Sequence, residues 1–293
     1  MGFVLSEVFR LYYDQAVTLY THVSDQHSVF STQVISCGPR EALYVLDGLL
    51  ENDTILRHRE HYTDTHGSTE QLFGICYLLG FSFMPRLKDL ADQQLYTLDK
   101  ISETGDLKSI FRQSISWNLV AEQYDGLLRI AASLQNKTAP AHIILQRLQS
   151  SPSDNIAKAL TNLGRIIKTI YILRYLSDEP LRRKIQKQLN RGENHHALAK
   201  RLFFANGGEF RTGDYEEIMN KASCLSILSN TVTIWNTLEM EKIIRGLRVG
   251  GEEILDHDLQ PISPYIHQHV IPNGTYRFRD DNEDGNIALN TQE

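Results

Sequence analysis

The feature that most constrains this fold is a change of hydrophobic period near residue 100. Before it, short runs rich in β-branched and aromatic residues alternate with helical patterns. Residues 16–23 and 29–35 are two such runs, and the polar stretch holding Asp25 and Gln26 between them predicts a hairpin. Pro39 opens a helical pattern with Ala42, Leu43, Leu46, Leu49 and Leu50 on one face. A short strand is expected before Asp64, a helix over 69–80 that closes at Gly80, and a strand over 81–87. After residue 105 the period becomes helical throughout, over 115–135, 154–177, 179–190, 193–206 and 214–245, with Pro140, Pro152 and Pro180 as punctuation. The two periods together imply an α/β unit followed by a helical region, in a chain of 293 residues that is long enough to bury a real core.

Charge divides along similar lines. Residues 1–100 carry 7 basic and 13 acidic side chains, whereas 140–215 carry 13 basic and 6 acidic. A basic block inside a chain of net charge −6 suits a phosphate-binding surface, and it equally suits a solvated helical face. Cys37, Cys76 and Cys224 are odd in number and far apart, as in a reduced, cytoplasmic protein. The longest apolar stretch, 73–85, is too short to span a bilayer and is broken by Gly74, Gly80 and Ser82, so no membrane role is expected. The tail after about residue 278 is polar and acidic and reads as disordered.

Eleven histidines raise the question of zinc. His58, His61 and His66, with Cys76 beyond them, do not reproduce a paired zinc spacing, and they read as surface residues. No phosphate loop, nucleophile elbow or dinucleotide fingerprint is present. Two acids are better placed. Asp64 stands at the expected carboxyl end of a strand, where α/β proteins build their sites. Glu193 lies inside the basic block at the start of an expected helix, a position that the helix dipole alone would favour for an acid.

The run His61-Tyr62-Thr63-Asp64-Thr65-His66-Gly67-Ser68-Thr69-Glu70, followed by Leu78-Leu79-Gly80-Phe81 and Pro85-Arg86, resembles the transposases of the Tn-three family of replicative bacterial transposons. The likeness extends to Tyr20-Thr21-His22-Val23-Ser24-Asp25-Gln26, Tyr44-Val45-Leu46-Asp47-Gly48-Leu49-Leu50, Leu189-Asn190-Arg191-Gly192-Glu193, Trp235-Asn236-Thr237 and Ile262-Ser263-Pro264, in that order over residues 12–278. It implies an RNase H-like α/β part over 12–100, a helical insertion over 101–180, a helical part over 181–278 and a tail over 279–293. It also implies a three-carboxylate site in which Asp64 is the second acid and Glu193 the third. Such acids hold two Mg²⁺ ions about 3.5–4 Å apart for in-line phosphoryl transfer on DNA. Arg86, Arg191, Lys200 and Arg201 are then expected to contact phosphates, by charge and placement.

The partners implied are double-stranded DNA (terminal inverted repeats and target) and either a second copy or an intact transposase. The family's first acid sits in a Ser-Asp-Gly motif on the first strand, and no such motif precedes residue 24 here. The expectation is therefore an RNase H-like core lacking its first strand, a truncated and inactive transposase; the alternative is a DNA-binding or interfering fragment without catalysis.

Overall fold

Phe3, Val4, Leu5, Val8 and Phe9 make the amino-terminal segment as capable of forming a strand as the runs that follow it. In the computed structural model it forms strand β1 (Gly2–Arg10), paired antiparallel with β2 (Ala16–Ser24) along nine residue pairs. The structure describes residues 2–10, 16–36, 43–52, 54, 57–64, 69–98, 100, 106, 109–204, 210, 212–271 and 274–275. Strand β3 (Val29–Ser36) pairs antiparallel with β2, closing the expected hairpin through a turn in which His27 takes a left-handed conformation (φ 64°). Strands β4 (Glu60–Thr63) and β5 (Ser82–Pro85) are parallel to each other, and β4 is parallel to β1. The sheet order is β3-β2-β1-β4-β5.

The expected gap at the first strand is therefore not found, because residues 2–10 fill it. A central position offers hydrogen-bond partners on both sides, and the segment pairs with β2 along its whole length and with β4 at Gly2 and Phe3. The absence of a Ser-Asp-Gly motif is thus no sign of a missing strand, since the strand pattern stands without it.

Two helices lie between the strands, α1 (Val45–Leu50) and α2 (Glu70–Leu78), the latter capped at Thr69, whose hydroxyl accepts from the Leu72 amide at 3.2 Å. The Pro39 start of the first helical pattern lies outside the described residues. A small parallel pair, β6 (Leu95–Thr97) and β7 (Phe111–Ser114), precedes the helical region. That region comprises α3 (Trp117–Glu122), α4 (Tyr124–Gln135), α5 (Ala141–Ser150), α6 (Asn155–Ser177), α7 (Glu179–Leu202), α8 (Tyr215–Val249) and the short α9 (Asp256–Leu259). The expected helices 179–190 and 193–206 are one continuous helix, α7. Gly192 does not break it: the residue is buried within the helix, where packing outweighs its poor helix propensity.

Close backbone approach occurs where α2 crosses α6. A Cβ on Gly164 would collide with the Glu70 carbonyl, and one on Gly74 would lie 2.9 Å from the Leu160 carbonyl oxygen. Asp47 of α1 ties the helical region to the sheet from another side. It is buried, and its Oδ1 accepts from the Ala141 and His142 amides of α5 at 2.6 and 3.2 Å. His142 Nδ1 lies 2.6 Å from Asp47 Oδ2 and its ring stacks on Tyr44. A single core runs from Tyr20, Val45, Leu46 and Tyr62 through Phe73 and Ile75 to Leu160, Ile172 and Ile185. A smaller cluster of Leu19, Val34, Phe210, Ile218 and Ala222 seats α8 on β2 and β3. The acidic tail lies outside the described residues.

Candidate active site

Side chains alternate across a strand, so the four residues of β4 fall on two faces. Glu60 and Tyr62 face α7: the Tyr62 hydroxyl donates to Glu60 Oε2 at 2.8 Å, and Lys184 Nζ of α7 donates to both Glu60 carboxylate oxygens at 2.9 and 2.8 Å. Burial works to raise the Glu60 carboxyl, but the hydrogen bonds from Lys184 and Tyr62 outweigh it and hold it below the usual range. Asp64 follows one residue past the strand. The same alternation assigns it to the α7 side, and it is exposed.

Glu193 is an exposed residue in the middle of α7, a helix that packs on both β1 and β4. Asp64 therefore stands at the carboxyl end of β4 on the helix-covered side of the sheet, and Glu193 belongs to the helix that covers that side. Arg86 is also there: its amide donates to the Thr63 carbonyl at 2.9 Å, which carries the β4–β5 ladder one step further and sets Arg86 level with Asp64.

The other basic residues are spread out. Arg191 donates to Gln188 Oε1 at 2.9 Å and sits near the β2–β3 turn, where burial and then the Arg191 charge push His27 down to about 4. Lys200 and Arg201 lie in the last turn of α7, where cations suit the helix dipole, about 10–12 Å of helix axis beyond Glu193. Arg201 Nη2 donates to the Val270 carbonyl at 3.1 Å. Lys184 belongs to the basic block in the sequence, but its amine is committed to Glu60. Arg182 likewise donates to the carbonyls of Tyr175 and Leu176, closing the end of α6. The charge count alone does not disclose this holding role. The alternation Glu60-His61-Tyr62-Thr63 was the available signal, since it sets Glu60 and Tyr62 on the face of Asp64.

On the other face of the sheet are histidines whose sequence context suggested the surface, and the structure corrects that expectation. His61 and His22 are fully buried and His58 is half-buried, while His66 lies outside the described residues. The His22 and His61 rings are 5.7 Å apart, and His58 stacks on Phe30 at 4.0 Å. Gly48 of α1 is required here, since a Cβ would collide with His22 Nε2. Burial first, and then the neighbouring histidines, push His61 down to about 3 and His22 well below its ordinary value. These rings are therefore neutral core groups. Among the described residues no three His, Cys, Asp or Glu side chains are grouped to hold a metal, Asp64 and Glu193 included. As hard, exposed oxygen donors they suit Mg²⁺ or Mn²⁺ rather than a thiophilic metal.

Comparison with known proteins gives this geometry a context. The family model described as the Tn3 transposase DDE domain matches residues 4–276. The transposase for transposon Tn1546 of Enterococcus faecium is 41% identical over 281 residues, which cover 94% of this chain and 28% of that protein. The transposase for transposon gamma-delta of Escherichia coli K12 is 38% identical over 265 residues, 90% of this chain and 26% of that protein. The transposase for transposon Tn501 of Pseudomonas aeruginosa is 38% identical over 261 residues, 89% and 26% respectively. The chain thus spans about a quarter of the length of the relatives it matches.

Proposed function

The chain belongs to the Tn3 transposase family, and we propose on that footing that it is the carboxyl-terminal catalytic portion of a DNA transposase. The observation that carries this reading is the placement of Asp64 at the end of β4 on the side covered by α7, the helix that bears Glu193. The strand order β3-β2-β1-β4-β5, with β2 antiparallel to the central β1 and β4 parallel to it, supports an RNase H-like sheet. In the complete enzyme Asp64 and Glu193 would hold Mg²⁺. The metal, when bound, supplies charge stabilisation at the attacking and leaving oxygens of a phosphodiester.

The chain's own residues bind and orient. Lys184 and Glu60 fix α7 against β4, and Arg86, level with Asp64 on the neighbouring strand, is the guanidinium offered to a DNA phosphate. Arg191 and Lys200 are further phosphate contacts on α7, and Arg201 joins them only by leaving the Val270 carbonyl. The reaction is hydrolysis that frees a 3′-hydroxyl at the transposon end, followed by attack of that hydroxyl on target DNA. Asp64 and Glu193 make two carboxylates of three, so the chain alone is expected to bind duplex without transferring strands.

The test is a strand-transfer assay on transposon-end duplex in Mg²⁺, paired with Mn²⁺ binding followed by electron paramagnetic resonance. Weak Mn²⁺ binding lost in Asp64→Asn, with no transfer, is the expected result. Robust transfer abolished by Asp64→Asn would overturn the inactive reading, and Mn²⁺ binding unaffected by that change would remove Asp64 from the site. The second reading, a DNA-binding fragment that interferes with an intact transposase, is favoured by the basic block. Duplex binding that survives Asp64→Asn is its signature, and no binding even at low salt would sink it.

A further inference from the structure

The peptide that joins Pro85 to Arg86 is held from both sides. Among the described residues β5 ends the sheet, so its backbone has β4 on one side only. On that side the Arg86 amide donates to the Thr63 carbonyl at 2.9 Å. A trans peptide turns its carbonyl the opposite way, so the Pro85 oxygen points off the edge of the sheet. Pro85 is buried, and a buried carbonyl without a partner is costly. The partner comes from the helical region: the Tyr171 hydroxyl of α6 donates to the Pro85 oxygen.

Gly164 and Tyr171 stand seven residues apart on α6, two turns along one face. Gly164 seats that face on the Glu70 carbonyl at the start of α2, and Tyr171 reaches the end of β5. The Tyr171 ring packs on Phe73 of α2 and on Tyr175, with ring centroids 5.5 and 5.9 Å away, which fixes the direction of its hydroxyl. Burial pushes the phenol well above its ordinary range, so it stays protonated and remains a donor. Arg86 itself is exposed, and its side chain leaves the backbone directly after the clamped carbonyl.

We infer that Tyr171 is a positioning residue: its hydroxyl locks the Pro85–Arg86 peptide and so holds Arg86 level with Asp64 for a DNA phosphate. The inference rests on the phosphate-binding reading of Arg86. Tyr171 is buried and acts through Arg86, not on DNA. Without the hydroxyl the Pro85 carbonyl is orphaned, and the peptide rotates toward water. That rotation opens the Thr63–Arg86 hydrogen bond and moves the guanidinium.

Tyr171→Phe removes the hydrogen bond and keeps the ring, so the chain should fold, as circular dichroism checks. Fluorescence anisotropy with labelled duplex DNA and the whole chain reads the consequence in a double-mutant cycle. Arg86→Gln should weaken binding about fivefold and make the log–log salt dependence shallower by about one unit of slope. Tyr171→Phe should weaken binding at least about threefold in the parent, and add nothing in Arg86→Gln. Thr169→Val, which strips the Tyr96 amide of its acceptor on the same helix, should lower the urea midpoint with duplex affinity unchanged.

Hydrogen exchange gives an answer independent of DNA. In Tyr171→Phe the Arg86 amide should exchange at least about tenfold faster relative to the Ser82 amide, which donates to the Arg59 carbonyl at the other end of β5. Full affinity in Tyr171→Phe beside a weakened Arg86→Gln would overturn the positioning role and leave the phosphate reading standing. Additive losses, or an Arg86 amide no faster than that of Ser82, would overturn it equally. Unchanged binding in Arg86→Gln would remove the phosphate reading, and this inference with it.

Discussion

Asp64 and Glu193 are both exposed, so their charges can be removed without disturbing packing. Asp64→Asn and Glu193→Gln should each leave stability within about 0.5 kcal/mol of the parent in urea denaturation. Each should weaken Mn²⁺ binding by roughly tenfold or more. The buried histidines behave oppositely. His22 and His61 are neutral in the folded chain because burial, then each ring's histidine neighbours, depress their pKa values. The unfolded chain titrates near 6.5, so their contribution is complete above that pH and is lost as pH falls toward 4, where only unfolding lets them charge. The urea midpoint measured from pH 8 to pH 4 should therefore fall steeply below about 6.5. A flat profile would show that both rings protonate freely in the folded state. Sequence could locate Asp64 because an acid at a strand end is a local pattern. It could not tell that His61, three residues earlier, is core, because that depends on which face the helices cover. His22 and Gly48, distant in the chain, share that face and decide it.

Two contacts govern how the elements assemble. Gly164 lets α6 rest on the Glu70 carbonyl, so Gly164→Ala must push α2 away and should cost about 1–3 kcal/mol despite better helix propensity. Asp47 satisfies the first two amides of α5 from a buried position, and Asp47→Ala should cost roughly 2–3 kcal/mol, read from the urea midpoint. Helix existence is legible from periodicity wherever the apolar stripe is long, as in α6 and α8. Element limits are less so. Gly192 has the look of a break between two helices, yet it lies buried inside one. Helix α5 escapes a periodicity reading, since its ten residues carry a short stripe behind Pro140 and its amino-terminal support comes from Asp47, 94 residues earlier.

At the scale of the molecule, the basic block is less available than its count implies. Arg182, Lys184 and Arg201 are engaged within the chain, so neutralising them confounds binding with folding. Arg183 and Lys187 are exposed on α7, and Arg183 pairs with Glu179, itself exposed. Duplex affinity measured by fluorescence anisotropy should fall steeply between about 50 and 200 mM salt, by roughly tenfold or more for a few phosphate contacts. Arg183→Gln with Lys187→Gln should make that dependence shallower, whereas an unchanged slope would place the DNA elsewhere. The sheet itself has an uneven weave. Nine residue pairs bind β1 to β2, but only Gly2 and Phe3 are matched with β4. The meander β1–β3 and the parallel couple β4–β5 thus meet along a short fault line, with Asp64 just beyond one end of it. Under tension, or in partial unfolding, the molecule would tear there first. The carboxylate that the proposed chemistry depends on would then drift from its neighbours while each half of the sheet was still intact.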